Sequence, residues 1–453
     1  MDNTTRKLAE YITRLDYSAL SAQAVHETKK RLVDAIACAI GGYASEPADI
    51  ARKVSANVSG TPAARIFNTG KTTSIDMAAF TNATMVRYLD FNDTYISIGS
   101  GHPSDMIPAM LAVADAHHLG GKELLLGIAT GYEVFTAMAD QIGLRDKGWD
   151  QGFFLGMSVA AGVAKMLKLN LEQTANAIAI TVTANVPTRQ SRAGELAMWK
   201  GVATAAAARS AVQAVLLAQA GMTGPTAAFE GKDGIWDKVT GKFTLNELGG
   251  NGKPFGIERT NLKFFPSEYH SQAPMWIALE LRKKVAVTDI EAVNVETYFT
   301  AWSEIGSEPE KWHPKTRETA DHSLPYLLSL GFIDGGVKLN SFTPERIADP
   351  ALHALMARIK ISENKAFTAA FPEALTTRIE VVTKGGQRMI EVAEYPKGHR
   401  KNPMTDEDVN NKFAMVCEGV MPAAQRDSLR NALWSVDQAP NLNRVFELLV
   451  PVK

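Results

Sequence analysis

The chain has 453 residues with 48 basic against 49 acidic side chains, and its 45% hydrophobic and 21% charged residues are the balance of a globular protein with ample material for a core. A pI near 6.8 removes the global electrostatic footprint of a nucleic-acid binder. No apolar run reaches the length of a membrane span: the closest, 153–164, ends at Lys165, and the alanine-rich run after Lys200 is cut by Arg209. The opening MDNTTRKLAE shows no basic-then-apolar secretory pattern, so a cytoplasmic or organelle-matrix protein is expected. The length suggests two or three domains.

From the start to about residue 260 the pattern is nearly all helical. Val25, Leu32 and Ile36 fall at near-helical spacing and stop at Gly41-Gly42. Ser104 reads as the cap of the next helix, with free N–H groups for an anion, and Gly120-Gly121 separates it from another over 123–142. Asn170 followed by Gln173 marks the start of a further helix. The longest begins near Gly194 and runs to Gly221, its alanines suiting the centre of a bundle.

Glycines at 221, 224, 231 and 234 with Pro225 then make a connector. Beyond Phe265 the pattern is mixed: Val293, Val295 and Thr297 alternate like a strand, Gly385-Gly386 centres a hairpin, and 322–332 reads as helix. Thr405 with Asp408 opens a return to helix. The expected fold is mainly α: an all-helical domain over 1–264, completed by 405–453, with an inserted α+β domain over 265–404.

Four polar constellations stand out. Asp90, Asp93, Thr94 and His102 share a loop shaped by Gly99, Gly101 and Pro103, which makes a better site than an ordinary helix–loop–helix would. Lys200, expected on one helical face with Leu196, Trp199 and Ala203, either snorkels or is buried to serve as acid, base or anchor. Arg192 could grip a carboxylate, although the residues alone favour a surface arginine. Lys263 and His270 lie at the domain junction, where ligand clefts form. Asp321, His322 and Tyr326 follow Arg317, with His322 and Tyr326 expected on one helical face; capping and packing explain them equally well. Together these groups fit acid–base work on a multiply anionic substrate. Cys38 and Cys417, the two cysteines, sit in apolar helical runs and cannot alone hold an iron–sulfur cluster, which takes three or four thiolates. Neither CxxC, HExxH nor a phosphate loop occurs.

The segments LDFNDTY…GHPSD, SRAGELAMWKG, GMTGPTAAFEG, KFFP…H, TADHSLPY and YPKGHRKNP, in that order, resemble the MmgE/PrpD family across essentially the whole chain. The resemblance implies a large helical domain with an α+β lid, a homodimer, and neither metal nor organic cofactor. It implies activities such as 2-methylcitrate dehydration, cis-aconitate decarboxylation or iminodisuccinate epimerisation. It places Asp90, Thr94, His102, Lys200, His270 and Tyr326 in the family's active site. The spacing from Thr94 to His102 and the wording TRETADHSLPY look like the dehydratase branch. Asp150 stands where decarboxylases carry histidine, and Asp150-Gln151 replaces the Asp-His of related dehydratases. The expectation is a hydro-lyase converting 2-methylcitrate to 2-methyl-cis-aconitate. Lys200, Lys263 and Arg192 would bind carboxylates, with Asp150, His322 and Tyr326 also against the substrate. His102 or His270 would take the C–H proton, and the other, with Asp90 and Thr94, would help hydroxide leave as water. An epimerase of a small dicarboxylate, a cis-aconitate decarboxylase and a catalytically silent helical binding protein are the alternatives.

Overall fold

The computed structural model describes residues 1–250 and 252–451. Helix accounts for 57% of the chain, which makes the fold mainly α. One continuous apolar core spans Leu8 to Leu262 and resumes from Met404 to Leu449, so the C-terminal helices Asp406–Cys417 and Ala423–Trp434 pack into the same body as the N-terminal ones. The central pair, Gly121–Ala139 and Gly152–Met166, touches through backbone: a Cβ on Gly162 would stand 2.5 Å from the Gly127 carbonyl oxygen. The Asn170–Gln173 box caps Leu171–Ala184, and Cys38 and Cys417 are buried free thiols. Among the described residues no helix is long and apolar enough to cross a membrane.

The expected long helix from Gly194 does not form. The helix begins at Ala203, preceded by short 3-10 turns at Arg189–Arg192 and Met198–Gly201, because Gly194 turns the chain with φ +69°. Lys200 therefore sits on a turn, and the apolar face it was expected to share is broken: Leu196 is buried while Trp199 is 55% exposed. Likewise a 3-10 turn, Pro103–Met106, precedes the Ile107–Ala116 helix, with His102 rather than Ser104 at the cap position.

Residues beyond the junction build a four-stranded sheet from β1 (Ile290–Thr297), β2 (Ile359–Glu363), β3 (Thr377–Thr383) and β4 (Arg388–Ala393), in the order β2-β1-β3-β4. β1 and β2 run parallel, joined by a helical crossover, while β1–β3 and β3–β4 are antiparallel. Alternation along β1 puts Val293 and Val295 against helices Gln272–Leu281 and Leu324–Asp334 through Ile277, Leu281, Leu328 and Phe332. The hairpin turns at Gly386, φ +81°. This unit meets the helical body where the Leu262 N–H donates to the Gly398 carbonyl at 2.9 Å and where Arg317 donates to the Tyr88 carbonyl at 2.9 Å. The cleft lies along that seam.

Candidate active site

The floor of the cleft is set where the Ile75–Tyr88 helix ends. Asp90 adopts φ +49°, a left-handed turn that an aspartate tolerates better than most residues. Its carboxylate, fully enclosed, is shared by three buried cations: Arg87 at 2.5 Å, Lys200 at 3.1 Å, and Lys263, which also donates to the Asp90 carbonyl at 2.9 Å. Burial alone would raise the pKa of Asp90, but Arg87, Lys200 and Lys263 overcome it and hold the group well below the usual carboxylate range. Asp90 is thus a permanent anion that gathers cations, unsuited to giving a proton. Lys200 also reaches Asp321 at 3.3 Å and the His322 Nδ1 at 3.2 Å. Asp90, Asp321 and His322 converge as a metal-type donor set, and the Lys200 ammonium occupies the middle of it.

Three imidazoles face this floor. The His102 Nδ1 lies 2.7 Å from the Asp93 carbonyl oxygen, which only accepts, so Nδ1 carries the proton and Nε2 keeps a lone pair. That Nε2 stands 3.9 Å from Asp90. Burial first, then Arg87 and Lys263, depress the basicity of His102, so it is neutral at pH 7. His322 is similar: Nδ1 meets Asp321 at 2.5 Å, and burial with nearby Lys200 pulls it down to about 4. The His270 Nδ1 lies 2.5 Å from the Tyr298 hydroxyl, and burial brings it to about 3.

Beside His270 is a group the sequence reading passed over. Glu268 accepts from the His270 N–H at 2.6 Å and lies 3.8 Å from its Nε2. Burial pushes this carboxyl up to about 8, so it is a neutral acid at pH 7.

The cavity over these groups has a volume of about 330 Å³, and among the described residues seven cationic side chains line it against five carboxylates. Of the residues expected to bind the substrate or act on it, all border the cavity except Tyr326, while Asp93, Arg317 and Asp321 lie behind its lining. Tyr326 is fully buried and donates to the Ser341 carbonyl at 2.6 Å, inside the core under the cleft. The four-residue spacing to His322 misled, because the helix starts only at Leu324, capped by Ser323. Arg192 is no surface arginine: it is paired with buried Asp150. The Ser104 N–H is not free either; it donates to Asp93 at 2.9 Å. Thr94 donates to the Gly101 carbonyl at 3.1 Å, and the Gln151 side-chain oxygen accepts from the His102 N–H at 2.6 Å, so both pin the loop that carries His102. At the rim Glu304 bridges the two units, meeting Arg189 and, at 2.9 Å, Arg145.

The MmgE/PrpD N-terminal domain profile matches residues 6–248 and the MmgE/PrpD C-terminal domain profile matches 265–438. The chain belongs to the MmgE/PrpD family. Its relatives in this family include a mitochondrial 2-methylcitrate dehydratase of Yarrowia lipolytica, 27% identical over 94% of this chain and 86% of the relative. A 2-methylcitrate dehydratase of Cupriavidus necator is 26% identical over 88% of this chain and 86% of its own. A fungal alkylcitrate dehydratase is 27% identical over 84% of this chain and 81% of its own. Both MmgE/PrpD profiles contribute to the cleft, the N-terminal match supplying Asp90, His102 and Lys200 and the C-terminal match Glu268, His270 and His322.

Proposed function

We propose that the protein is a hydro-lyase that dehydrates a small tricarboxylate, with 2-methylcitrate to 2-methyl-cis-aconitate the leading reaction. The dehydratase relatives support the reaction class, and the observation that carries the mechanism is the His102 tautomer, a buried neutral imidazole whose free Nε2 faces a cationic pocket. Lys200, Lys263 and Arg192 draw in carboxylates, and the charge they bring raises the basicity of the imidazoles above that of the empty site. His102 Nε2 takes the proton from carbon beside a carboxylate, and Asp90 steadies the imidazolium. The C–O bond breaks as Glu268 gives its proton to the departing hydroxyl, so alkene and water form together. Proton transfer through solvent from His102 to Glu268 resets both groups.

His270 holds the Glu268 carboxyl through its backbone N–H, and Asp321, held in turn by the His322 Nδ1, anchors Lys200. The sheet-bearing unit over 265–404 is proposed to act as a lid on the 1–264 helical domain, in a homodimer. The test is a substrate screen read by mass and by ultraviolet absorbance of the conjugated alkene. Loss of 18 mass units is the expected signal, on the order of one water per turnover. Solvent deuterium entering recovered substrate without alkene would replace the dehydratase by an epimerase, and loss of carbon dioxide by a decarboxylase.

A further inference from the structure

Most cations lining the cavity are already engaged. Arg87, Lys200 and Lys263 hold Asp90, Arg192 holds Asp150, and Arg145 and Arg189 hold Glu304. Lys311 is different. Its side chain is 2% exposed, yet its ammonium has no hydrogen-bond acceptor among the described residues. The nearest carboxylate, Glu308, stands 3.7 Å away and is itself 39% exposed, in water rather than in the pocket. An ammonium withdrawn from water without an acceptor is costly, and here burial, then the neighbouring Lys200, depress its basicity although Glu308 opposes them.

The chain holds this ammonium in place. The Lys311 carbonyl accepts from the buried Ser323 hydroxyl, and the same hydroxyl caps the Leu324–Asp334 helix through the Tyr326 N–H at 3.2 Å. The Lys311 N–H donates to the Glu308 carbonyl at 3.0 Å, and Trp312 beside it donates to the Gly306 carbonyl at 3.0 Å. A lysine tethered at its base, with a sealed stem and a charge on a cavity wall answered only by a long contact to Glu308, is built to meet a closer acceptor that arrives with the ligand.

We infer that Lys311 seats a carboxylate of the substrate beyond those taken by Lys200, Lys263 and Arg192, and so selects acids with several carboxylates over simpler ones. This deepens the reading of the site as a tricarboxylate pocket and rests on it for the ligand class. A carboxylate suits the place better than a phosphate: Lys311 offers a single point charge rather than the several donors that three phosphate oxygens call for. The inner cluster, its charge already shared with Asp90, orients whichever acid enters; Lys311 counts how many carboxylates it carries.

The experiment is ligand-detected nuclear magnetic resonance, which reaches millimolar affinities, on the full chain with tricarballylate and butyrate as three- and one-carboxylate probes. Lys311→Met should weaken tricarballylate roughly 10- to 100-fold, the loss of one charge-assisted bond, and leave butyrate unchanged. Lys311→Arg, which keeps the charge, should stay within a few-fold of the parent and serves if the methionine variant does not fold. Equal loss for both probes, no loss for either, an arginine variant as weak as the methionine one, or no tricarballylate binding by the parent would each overturn the inference. Because binding is the readout, absence of turnover removes the proposed dehydration and leaves this inference standing. Dehydration with unchanged tricarballylate affinity in Lys311→Met does the reverse.

Discussion

Glu268→Gln keeps the shape of the side chain and removes the one proton the mechanism needs from it. In the parent the carboxyl is pushed up to about 8, chiefly by burial. At pH 7 the protonated form then outnumbers the ionised one by about ten to one, and at pH 9 the ratio is inverted. The parent's kcat/KM should therefore be flat near neutrality and fall about tenfold per pH unit above 8. Bound carboxylates add negative charge nearby, so kcat should turn down at a pH no lower than kcat/KM does. The glutamine variant should lose roughly 10²- to 10⁴-fold in kcat, equivalent to about 3–5 kcal/mol of barrier, and should lose the alkaline limb as well. Following the alkene's absorbance from pH 6 to 10 measures both. An unchanged alkaline limb in the glutamine variant, or full activity without it, would show that Glu268 is not the acid.

Asp90→Asn leaves Arg87, Lys200 and Lys263 buried around a neutral amide. Denaturant titration should show a loss of about 3–5 kcal/mol, and raising the pH should restore part of it as Lys263, whose basicity burial already lowers, sheds its proton in the fold. An unaltered midpoint would refute the shared-anion account. His270 and His322 have folded values of about 3 and 4 against 6.5 when free, so their contribution is whole above 6.5 and is lost as pH falls through those values. Thermal melts should accordingly weaken below pH 6, and His270→Asn should flatten that acid slope. Lys412→Met strands buried Asp34, its partner at 2.6 Å, and should cost about 3–5 kcal/mol. Adding Asp34→Asn should recover most of the loss, whereas simple additivity of the two would disprove the pairing.

The helices, the α+β segment and the central loop were legible because their signals are local. Caps at Asn170 and Thr405, alternation along β1 and the glycines around His102 each act within a few residues. Lys200 was legible as a residue but not as a geometry: the alanine-rich run reads as helix from Gly194 onward, whereas the backbone turns at Gly194 and the helix starts only at Ala203. Glu268, Lys311 and Glu304 were hidden for another reason. In SEYH, PEKW and WSEI they read as ordinary solvated charges, and only burial by distant segments gives Glu268 its acidity and leaves Lys311 without a close acceptor. Tyr326 failed the opposite way, since a helical spacing says nothing about which face of the helix meets the cleft.

The reach of Lys412 has a consequence for how the protein is made. From the helix Asp406–Cys417 its ammonium donates to the Phe91 carbonyl at 2.6 Å and to the Lys263 carbonyl at 3.0 Å, tying together the two stretches that present Asp90 and Lys263. On a ribosome these stretches emerge long before residue 412, and until then only the Lys263–Asp90 and Thr94–Asn261 contacts join them, without this clamp. Competence should therefore switch on late, as the final helices leave the exit tunnel, and a nascent chain stalled before them would carry nearly every reactive group yet be inert.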